Sequence, residues 1–172
     1  MNNTNIIILT GPTRTGKTTF LKTFIDNRSD CGGFLTPNND GKRVLFRIDD
    51  KSTHEFEIVT DRDIIKVHIG QYVFKQDAFT LGCDLILNAS KTSYAFFIID
   101  EIGKLELNNE GFNEALPDSF WSNIYKSKTK LILVIRDYLL YEAIRKYKIV
   151  SPVIIDIQDR QYKEYFMMAC TN

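Results

Sequence analysis

Gly11-Pro12-Thr13-Arg14-Thr15-Gly16-Lys17-Thr18 matches the pattern G-x-x-x-x-G-K-[ST] of a phosphate-binding loop. In such a loop the glycines let the backbone fold into a nest whose N–H groups point at phosphate oxygens, and the helix that follows adds its positive N-terminal end. Lys17 would neutralise phosphate charge, and the hydroxyl of Thr18 would bind Mg²⁺. The residues predicted to bind nucleotide in this segment are Gly11, Pro12, Thr13, Arg14, Thr15, Gly16, Lys17, Thr18 and Thr19.

The segments on either side of this loop have the periodicity that the motif requires. Asn5–Thr10 is an apolar run rich in β-branched residues, as expected of a parallel strand that is covered on both faces. From Lys17 onward the apolar residues recur at helical spacing and would form one buried face of a helix. The order strand, loop, helix is the context in which this motif is a genuine binding site.

The remainder of the chain alternates between strand-like and helix-like segments. The predicted strands are 95–99, 131–135 and 152–155, and the predicted helices are 76–89, 138–147 and one that starts at about Asp159. The apolar spacing within 112–124 is also helical, and Pro117 is suited to the first position of a helix. This alternation predicts a three-layer α/β fold with a mainly parallel central sheet.

Between about Gly33 and Val59 the apolar period changes to two, which predicts a small antiparallel β insertion. Asn39-Asp40-Gly41 has the composition of a hairpin turn. The charged residues of this meander, which could pair across strands on a solvated face, are Arg43, Arg47, Glu55 and Glu57.

A second chemical motif is Ala95–Glu101, an apolar strand that ends in two acids. Asp100 at the carboxyl end of the strand would hold Mg²⁺ through water, together with Thr18. Glu101 is placed to orient and deprotonate an attacking water, as a general base does. The two acids therefore predict hydrolysis of a bound triphosphate, with Thr18 and Asp100 as metal-binding residues and with Glu101 and Lys17 as catalytic residues.

Charge and composition argue against several classes of function. Lys plus Arg total 22 and Asp plus Glu total 22, so no positive excess is available for a nucleic-acid backbone or an anionic membrane. The apolar runs are far shorter than the roughly 20 residues that cross a bilayer. The three cysteines, Cys31, Cys83 and Cys170, form no C-x-x-C pair, and the N-terminus has no secretion signal. We expect one cytoplasmic domain, residues 1–172, that is monomeric and has no nucleic-acid or membrane partner.

The string Asp100-Glu101-Ile102-Gly103-Lys104-Leu105-Glu106-Leu107 resembles the D-E-I-G-K-M-E-L motif of the THEP-type, or cancer-related, nucleoside-triphosphatases. Residues 33–37, 41–44 and 69–73 are similar to further sequence blocks of that family. The resemblance implies a RecA-like P-loop core and Mg²⁺-dependent hydrolysis of ATP, GTP and other nucleoside triphosphates, with little choice of base. Within the motif, Gly103 and Lys104 are expected to join the nucleotide-binding residues.

The chain departs from this family at two positions. Asn38 stands where the family often has an acidic residue, so the role of that acid is open. Arg14 replaces a frequent glycine of the phosphate loop, and it either adds charge near the phosphates or projects into solvent. The role of Lys104 is also open, because it could contact phosphate or pair with Glu106.

Arg136 follows the predicted strand 131–135. In the related fold class this position often holds a polar group that senses the γ-phosphate, which makes Arg136 a third candidate catalytic residue beside Glu101 and Lys17. Pairing with Asp137 on the surface is the alternative.

Two other classes of function stay open. A small-molecule or nucleotide kinase shares the loop and the α/β core but must hold an acceptor under an arginine-bearing lid, whereas the eight arginines of this chain are scattered along the sequence. A nucleotide-controlled binding switch would use hydrolysis to release a partner, whose identity the sequence does not indicate. The glutamate directly after Asp100 favours activation of water, and hydrolysis is therefore the preferred prediction.

Overall fold

The computed structural model describes residues 5–58, 66–69 and 72–171. The strands of this part of the chain are β1 (Ile6–Gly11), β2 (Cys31–Leu35), β3 (Asn38–Asn39), β4 (Lys42–Arg47), β5 (Thr53–Glu55), β6 (Glu57–Ile58), β7 (Lys66–Ile69), β8 (Tyr72–Lys75), β9 (Phe96–Ile102), β10 (Lys130–Arg136) and β11 (Val153–Asp156). Five of them form a parallel array in the order β11, β1, β10, β9, β2, which is the predicted parallel centre of an α/β fold. Their carboxyl ends share one edge, where ligands of open α/β sheets bind.

An antiparallel extension continues this sheet beyond β2. Strand β4 runs antiparallel to β2, and both β3 and β5 pair with β4. The two-residue turn between β3 and β4 has left-handed φ angles of 50° at Asp40 and 84° at Gly41, as a type I′ hairpin requires. The predicted hairpin at Asn39-Asp40-Gly41 is confirmed.

A second, three-stranded antiparallel sheet has the order β6, β8, β7. The prediction of one meander from Gly33 to Val59 is therefore only partly right. Its first segment lies in the parallel strand β2, while β6 leaves the main sheet to pair with β8. Val59 lies outside the described residues, as do Gly70 and Gln71 of the predicted block 69–73.

The charged pairs of this region differ from those predicted. Arg47 forms ion pairs with Asp49 and Asp50, its neighbours beyond the end of β4. Glu55 contacts Lys75 of β8, because β6 and β8 pair next to β5. Cross-strand pairing of Arg47 with a glutamate was thus wrong, since a nearby aspartate is reached with less side-chain ordering.

Helices cover both faces of the main sheet. They are α1 (Lys17–Ile25), α2 (Gln76–Asn88), α3 (Lys104–Leu107), α4 (Asp118–Lys126), α5 (Leu140–Lys146) and α6 (Tyr162–Thr171). Residues of α1 and α6 pack into one hydrophobic core, and residues of α2, α4 and α5 pack into the other. Pro117 precedes the first residue of α4, so it is the N-cap of that helix and not its first position. The three layers match the predicted architecture.

The alternation of side chains along β1 divides the two cores. Ile6 and Ile8 belong to the core under α2, α4 and α5, while Ile7 and Leu9 belong to the core under α1 and α6. All four side chains are fully buried, as expected of a central parallel strand. This rigid strand leads directly into the phosphate loop at Gly11.

A glycine in β2 permits close contact with β9. Gly33 has a φ of 95°, and a Cβ atom there would lie 2.0 Å from the backbone oxygen of Ile98. No side chain fits that distance, and the left-handed φ adds strain for any residue other than glycine. Gly33 therefore lets β2 approach β9 closely. This close contact lies next to Thr36, which follows β2, and Asp100, which is in β9.

None of the helices in the described ranges has both the length and the apolar composition that a bilayer crossing demands. Cys31, Cys83 and Cys170 are free thiols. Burial raises the pKa of Cys31 and of Cys170 to about 11 and that of Cys83 to about 12, so the thiols stay protonated near neutral pH.

Candidate active site

The phosphate loop joins β1 to α1 and ends at Gly16. Gly16 is the N-cap of α1 and has a φ of 92°, a left-handed conformation that favours glycine. The helix begins at the next residue, Lys17, so the unpaired N–H groups of its first turn open toward the loop. The hydroxyl of Thr15 donates to the carbonyl oxygen of Pro12 at 2.8 Å and braces the turn. The sequence 11–18 has the shape of an anion-binding nest.

The ammonium group of Lys17 lies inside this loop. It donates to the carbonyl oxygens of Gly11 at 2.7 Å and of Pro12 at 2.6 Å, and the residue is only 6% exposed. Burial lowers the pKa of Lys17, while the charges of Glu101 and Asp100 oppose that change. The ammonium also donates to the hydroxyl oxygen of Thr15 at 3.3 Å. A buried cation that is held by neutral oxygens lacks a full counter-charge, which an anionic phosphate would supply.

Asp100 lies at the floor of the site and is 1% exposed. Its Oδ2 atom accepts a hydrogen bond from the hydroxyl of Thr18 at 2.7 Å and another from the backbone N–H of Thr36 at 3.1 Å. Burial, and next the charge of Glu101, raise the pKa of Asp100 to about 6, although both hydrogen bonds act against the rise. The two residues predicted to bind metal are therefore in direct contact.

A β-bulge interrupts β9 directly after Asp100. In the pairing with β10, Asp100 is opposite Val134 while Ile102 is opposite Ile135, so Glu101 is the extra residue. The peptide bond between Asp100 and Glu101 is cis. A bulge redirects a side chain that regular alternation would send to the other face of the sheet. Asp100 and Glu101 consequently both lie at the carboxyl edge of the sheet.

The carboxylate of Glu101 is held by arginines. Its Oε1 atom accepts a hydrogen bond from Arg136 at 2.5 Å and lies 4.0 Å from the guanidinium of Arg43. Burial favours a lower pKa for Arg136, but the charge and hydrogen bond of Glu101 outweigh it, and the pKa is raised. The alternative partner Asp137 instead accepts a hydrogen bond from the backbone of Tyr138. Arg136 is thus part of the site and not a surface residue.

One nitrogen of Arg136 stands out. Its Nε–H group is buried and has no acceptor among the described residues. Buried donors are seldom left unpaired in proteins, and the exceptions include groups with a catalytic role and groups whose partner is water or an ion.

These groups border a cleft of about 520 Å³, referred to below as the phosphate cleft. Its walls include 13–19 of the loop and helix α1, together with Glu101 and Arg136. Arg14 is exposed, as one of its two alternatives predicts, and it also lines the cleft. Its action on bound phosphate stays a prediction. Asn38 lines the cleft as well, and its side chain accepts a hydrogen bond from the N–H of Gly41 in the hairpin.

A second cavity of about 330 Å³ adjoins the phosphate cleft and is mainly apolar. We call it the aromatic cavity. Its lining includes the aromatic residues Phe56, Tyr72, Phe74, Phe79 and Phe112. The predicted nucleotide-binding residues Gly103 and Lys104 line this cavity and do not border the phosphate cleft.

Lys104 and Glu106 do not pair with each other. Glu106 is 3% exposed, and its carboxylate accepts hydrogen bonds from the backbone N–H groups of Gly103 at 2.8 Å and Phe112 at 3.0 Å. The ammonium of Lys104 lies over the ring of Tyr138, 5.8 Å from its centroid. The glutamate of the resembling motif therefore has a structural role in capping α3.

Three residues that the sequence analysis did not predict as site residues complete both cavities. Thr36, Arg43 and Tyr72 line the phosphate cleft and the aromatic cavity alike. The sequence did contain a signal for Thr36, because this residue directly follows an apolar run that forms β2. Strand β2 pairs with β9, which carries Asp100. Arg43 and Tyr72 come from antiparallel strands whose position over the site is set by tertiary pairing, which no local pattern reports.

Comparison with known proteins identifies relatives of this chain. It matches the NTPase family over residues 6–165. It is 33% identical over 118 residues to nucleoside-triphosphatase THEP1 of Thermotoga sp. (strain RQ2), covering 66% of this chain and 67% of that protein. It is 31% identical over 125 residues to the cancer-related nucleoside-triphosphatase homolog of Mus musculus, covering 64% of this chain and 66% of that protein. The matched region thus spans about two thirds of these relatives.

A solved structure supports the fold. The crystal structure of THEP1 from the hyperthermophile Aquifex aeolicus aligns with a TM-score of 0.70 and 19% sequence identity, covering 95% of this chain and 98% of that one. Because the family match extends over residues 6–165, this chain belongs to the NTPase family, and that membership supports hydrolysis of nucleoside triphosphates as its activity.

Proposed function

We propose that the chain is a Mg²⁺-dependent nucleoside-triphosphatase that hydrolyses ATP, GTP and other nucleoside triphosphates, with little choice of base. The products are the nucleoside diphosphate and inorganic phosphate. The observation that carries this proposal is the position of the Glu101 carboxylate. It lies on the wall of the same cleft that Lys17 and the phosphate loop border. A group able to accept a proton thus faces the region where the terminal phosphate would bind.

The loop would bind the triphosphate through charges and backbone donors. Lys17 and the N-terminal N–H groups of α1 would bind β- and γ-phosphate oxygens, with Thr13, Thr15 and Thr19 beside them in the cleft. These contacts do not depend on the base of the nucleotide. The names of the curated relatives likewise specify no base, which supports a broad specificity.

Thr18 and Asp100 fit a Mg²⁺ site. They present a hydroxyl and a carboxylate in direct contact, which are the hard oxygen ligands that Mg²⁺ prefers. Two protein ligands suffice for this ion, because it keeps several waters and binds substrate phosphates as well. When bound, Mg²⁺ would offset negative charge on the phosphate oxygens.

Glu101 and Arg136 would divide the remaining chemistry. The guanidinium of Arg136, which lines the phosphate cleft, can bind an oxygen of the γ-phosphate and stabilise charge that develops during transfer. When the guanidinium of Arg136 binds phosphate, its hydrogen bond to Glu101 would weaken. The carboxylate of Glu101 could then accept a proton from the attacking water. The ion pair thereby keeps the base and the phosphate-sensing cation adjacent.

The proposal is tested by phosphate release from ATP, GTP, CTP, UTP and the deoxynucleotides, each with Mg²⁺ and with EDTA. We expect release from all of them with similar kcat/KM, and none above background in EDTA. Release from a single nucleotide would contradict broad specificity, and release in EDTA would contradict the metal requirement. A cytoplasmic location, a monomeric state, a single domain and a lack of nucleic-acid or membrane partners stay predictions from the sequence.

A further inference from the structure

We propose that the aromatic cavity binds a second small molecule, a flat ring compound that carries a hydroxyl group, and that the chain transfers the γ-phosphoryl group of its triphosphate to that hydroxyl. The inference rests on the proposed function, because it uses the same triphosphate site and the same base. It adds an acceptor other than water.

The position of the cavity is the first argument. The aromatic cavity shares Thr36, Glu101 and Arg136 with the phosphate cleft, but it contains no residue of the segment 13–19. A molecule in it would therefore approach the triphosphate from the side of Glu101. This is the side from which the attacking group must come if Glu101 is the base.

The size of the cavity is the second argument. A volume of about 330 Å³ is about ten times the roughly 30 Å³ that a water molecule occupies in the liquid. It falls at the lower end of the roughly 300–1,000 Å³ typical of small-molecule pockets. The cavity can hold one molecule of about the size of a nucleoside, whereas a peptide or a polynucleotide is too large.

The walls indicate the chemistry of that molecule. The rings of Phe56 and Phe79 lie 5.0 Å apart, as do those of Phe79 and Phe112, and Tyr72 and Phe74 continue the same wall. Aromatic walls favour a flat ring in stacked or edge-on contact. The apolar part of the wall favours an uncharged ring, because a charged ring would lose its hydration against these side chains.

The mouth of the cavity supplies a base and cations. Among the described residues that line it, the carboxylates are Glu101 and Glu106, and the second is engaged by two backbone N–H groups. Glu101 is held by Arg136, but it is the carboxylate that lines both the cavity and the phosphate cleft, so it is the candidate base for an acceptor. Arg43 and Arg136 come together beside it, although they are far apart in the sequence. Two of the eight arginines, whose scatter along the sequence argued against a kinase, are thus brought together by the fold.

The transfer step balances without any further reactant. The hydroxyl oxygen of the bound compound forms a bond to the γ-phosphorus while the bond from that phosphorus to the β,γ-bridging oxygen breaks. The hydroxyl proton moves to Glu101, and the products are a phosphate monoester and a nucleoside diphosphate. With no compound in the cavity, water takes the place of the hydroxyl and the reaction is hydrolysis.

The test follows the terminal phosphate of γ-³²P-labelled MgATP. Acceptors are supplied in two sets, the common nucleosides and simple aromatic alcohols such as benzyl alcohol and pyridinemethanols, so that the source of the ring is distinguished. Labelled inorganic phosphate and labelled monoesters are separated by chromatography. We expect label in a monoester of at least one set, at the expense of inorganic phosphate.

A matched pair of variants locates the acceptor. Leu105→Trp fills the aromatic cavity from α3, and we expect it to lower the ratio of transferred to released label by about tenfold or more, which is about 1.4 kcal/mol. Leu87→Trp adds the same ring at an exposed position of α2 and should leave the ratio unchanged. Leu105→Phe is a smaller filler that serves if the tryptophan variant does not fold.

Each outcome decides one question. Monoester formation that falls in Leu105→Trp supports the acceptor site. Label only in inorganic phosphate with every acceptor overturns this inference and leaves the triphosphatase intact. Monoester formation that is unchanged in both Leu105 variants also overturns it, since the acceptor then binds elsewhere. A lack of both products overturns the triphosphatase itself.

Discussion

The phosphate cleft and the aromatic cavity lie side by side but are built in opposite ways. The cleft takes seven of its lining residues from the single segment 13–19 and relies on backbone donors and fixed charges. The aromatic cavity takes its rings from four parts of the chain, with two of the five rings in β8: Phe56, Tyr72, Phe74, Phe79 and Phe112. Binding of phosphate is therefore a local property of one motif, whereas the neighbouring cavity exists only after tertiary folding.

Five of the described residues line both regions, and two of these five form an ion pair with each other. Glu101 and Arg136 line the cleft and the cavity, and they are paired with each other. Some substitutions change only the cleft or only the cavity, and others change the pair of Glu101 and Arg136. Comparing them separates the contribution of each region to binding and turnover. The predictions below run from the largest expected effect to the smallest.

Glu101→Gln acts on the shared pair. The amide keeps the shape of the carboxylate but cannot accept a proton, while Lys17 and Thr18 still bind the phosphates and the metal ion. We expect turnover to fall by about 10²–10⁴-fold, with the affinity for MgATP changed only a few-fold. Steady-state kinetics and calorimetric binding measure the two effects. Glu110→Gln, an exposed neighbour, is the control, and wild-type turnover in Glu101→Gln would remove this residue as the base.

Arg136→Ala removes the other half of the pair. We expect kcat to fall by about 10²–10³-fold with little change in KM, because the contact forms as charge develops on the phosphoryl group. Arg136→Lys should recover only part of the loss, since it lacks the guanidinium fork. The exposed Arg145→Ala on α5 should match wild type. A faster enzyme in Arg136→Ala would mean that the ion pair restrains Glu101.

Lys17→Ala acts on the cleft alone. Two or three charge-assisted contacts to phosphate are lost, and at about 3 kcal/mol in total this lowers triphosphate affinity by about 100-fold. Turnover at accessible concentrations should be lost with it. Equilibrium binding of a fluorescent triphosphate provides the measurement, with Lys22→Ala on the exposed side of α1 as control. Binding that survives in Lys17→Ala would show that the loop is not the phosphate site.

Asp100→Asn tests the raised pKa of this buried carboxylate through its effect on the stability of the folded chain. The pKa of Asp100 is raised from 3.8 to about 6, so between these values the folded chain binds a proton that the unfolded chain releases. Its contribution to the free energy of unfolding therefore falls as the pH rises from about 4 to above 6, by up to about 3 kcal/mol.

In the absence of nucleotide and with EDTA present, Asp100→Asn should thus gain Tm relative to wild type as the pH rises, by about 6–12 °C between pH 4 and 7. Thermal unfolding at each pH provides the measurement. Asp84→Asn, exposed on α2, should follow the wild-type curve. A difference in Tm that stays constant with pH would contradict the raised pKa.

Local patterns predicted a large part of the fold and of the phosphate site. The loop at 11–18 is contiguous, so its residues and the helix at Lys17 could be predicted from spacing alone. The contact of Thr18 with Asp100 also follows, since β1 and β9 end at the same edge of a parallel sheet with only β10 between them. These are consequences of short-range geometry and sheet topology.

The remaining features depend on contacts that no local pattern contains. The bulge that adds Glu101 to β9 arises from its register against β10, which is decided by packing of both strands. The alternation in 44–58 predicted a solvated face for the charged residues, but it did not indicate that the apolar Phe56 lines the aromatic cavity, beside the point where β6 pairs with β8. Arg43 reaches Glu101 only because β4 pairs with β2.

The shared wall between the two regions has a thermodynamic consequence. If a triphosphate draws Arg136 away from Glu101, it changes the surface that an occupant of the aromatic cavity meets, and the two ligands are then energetically coupled. Such coupling is reciprocal: the factor by which one ligand alters the dissociation constant of the other must be the same in both directions. Titrations of either ligand in the presence of the other therefore form a closed cycle, and Arg136→Ala should bring its coupling factor toward one.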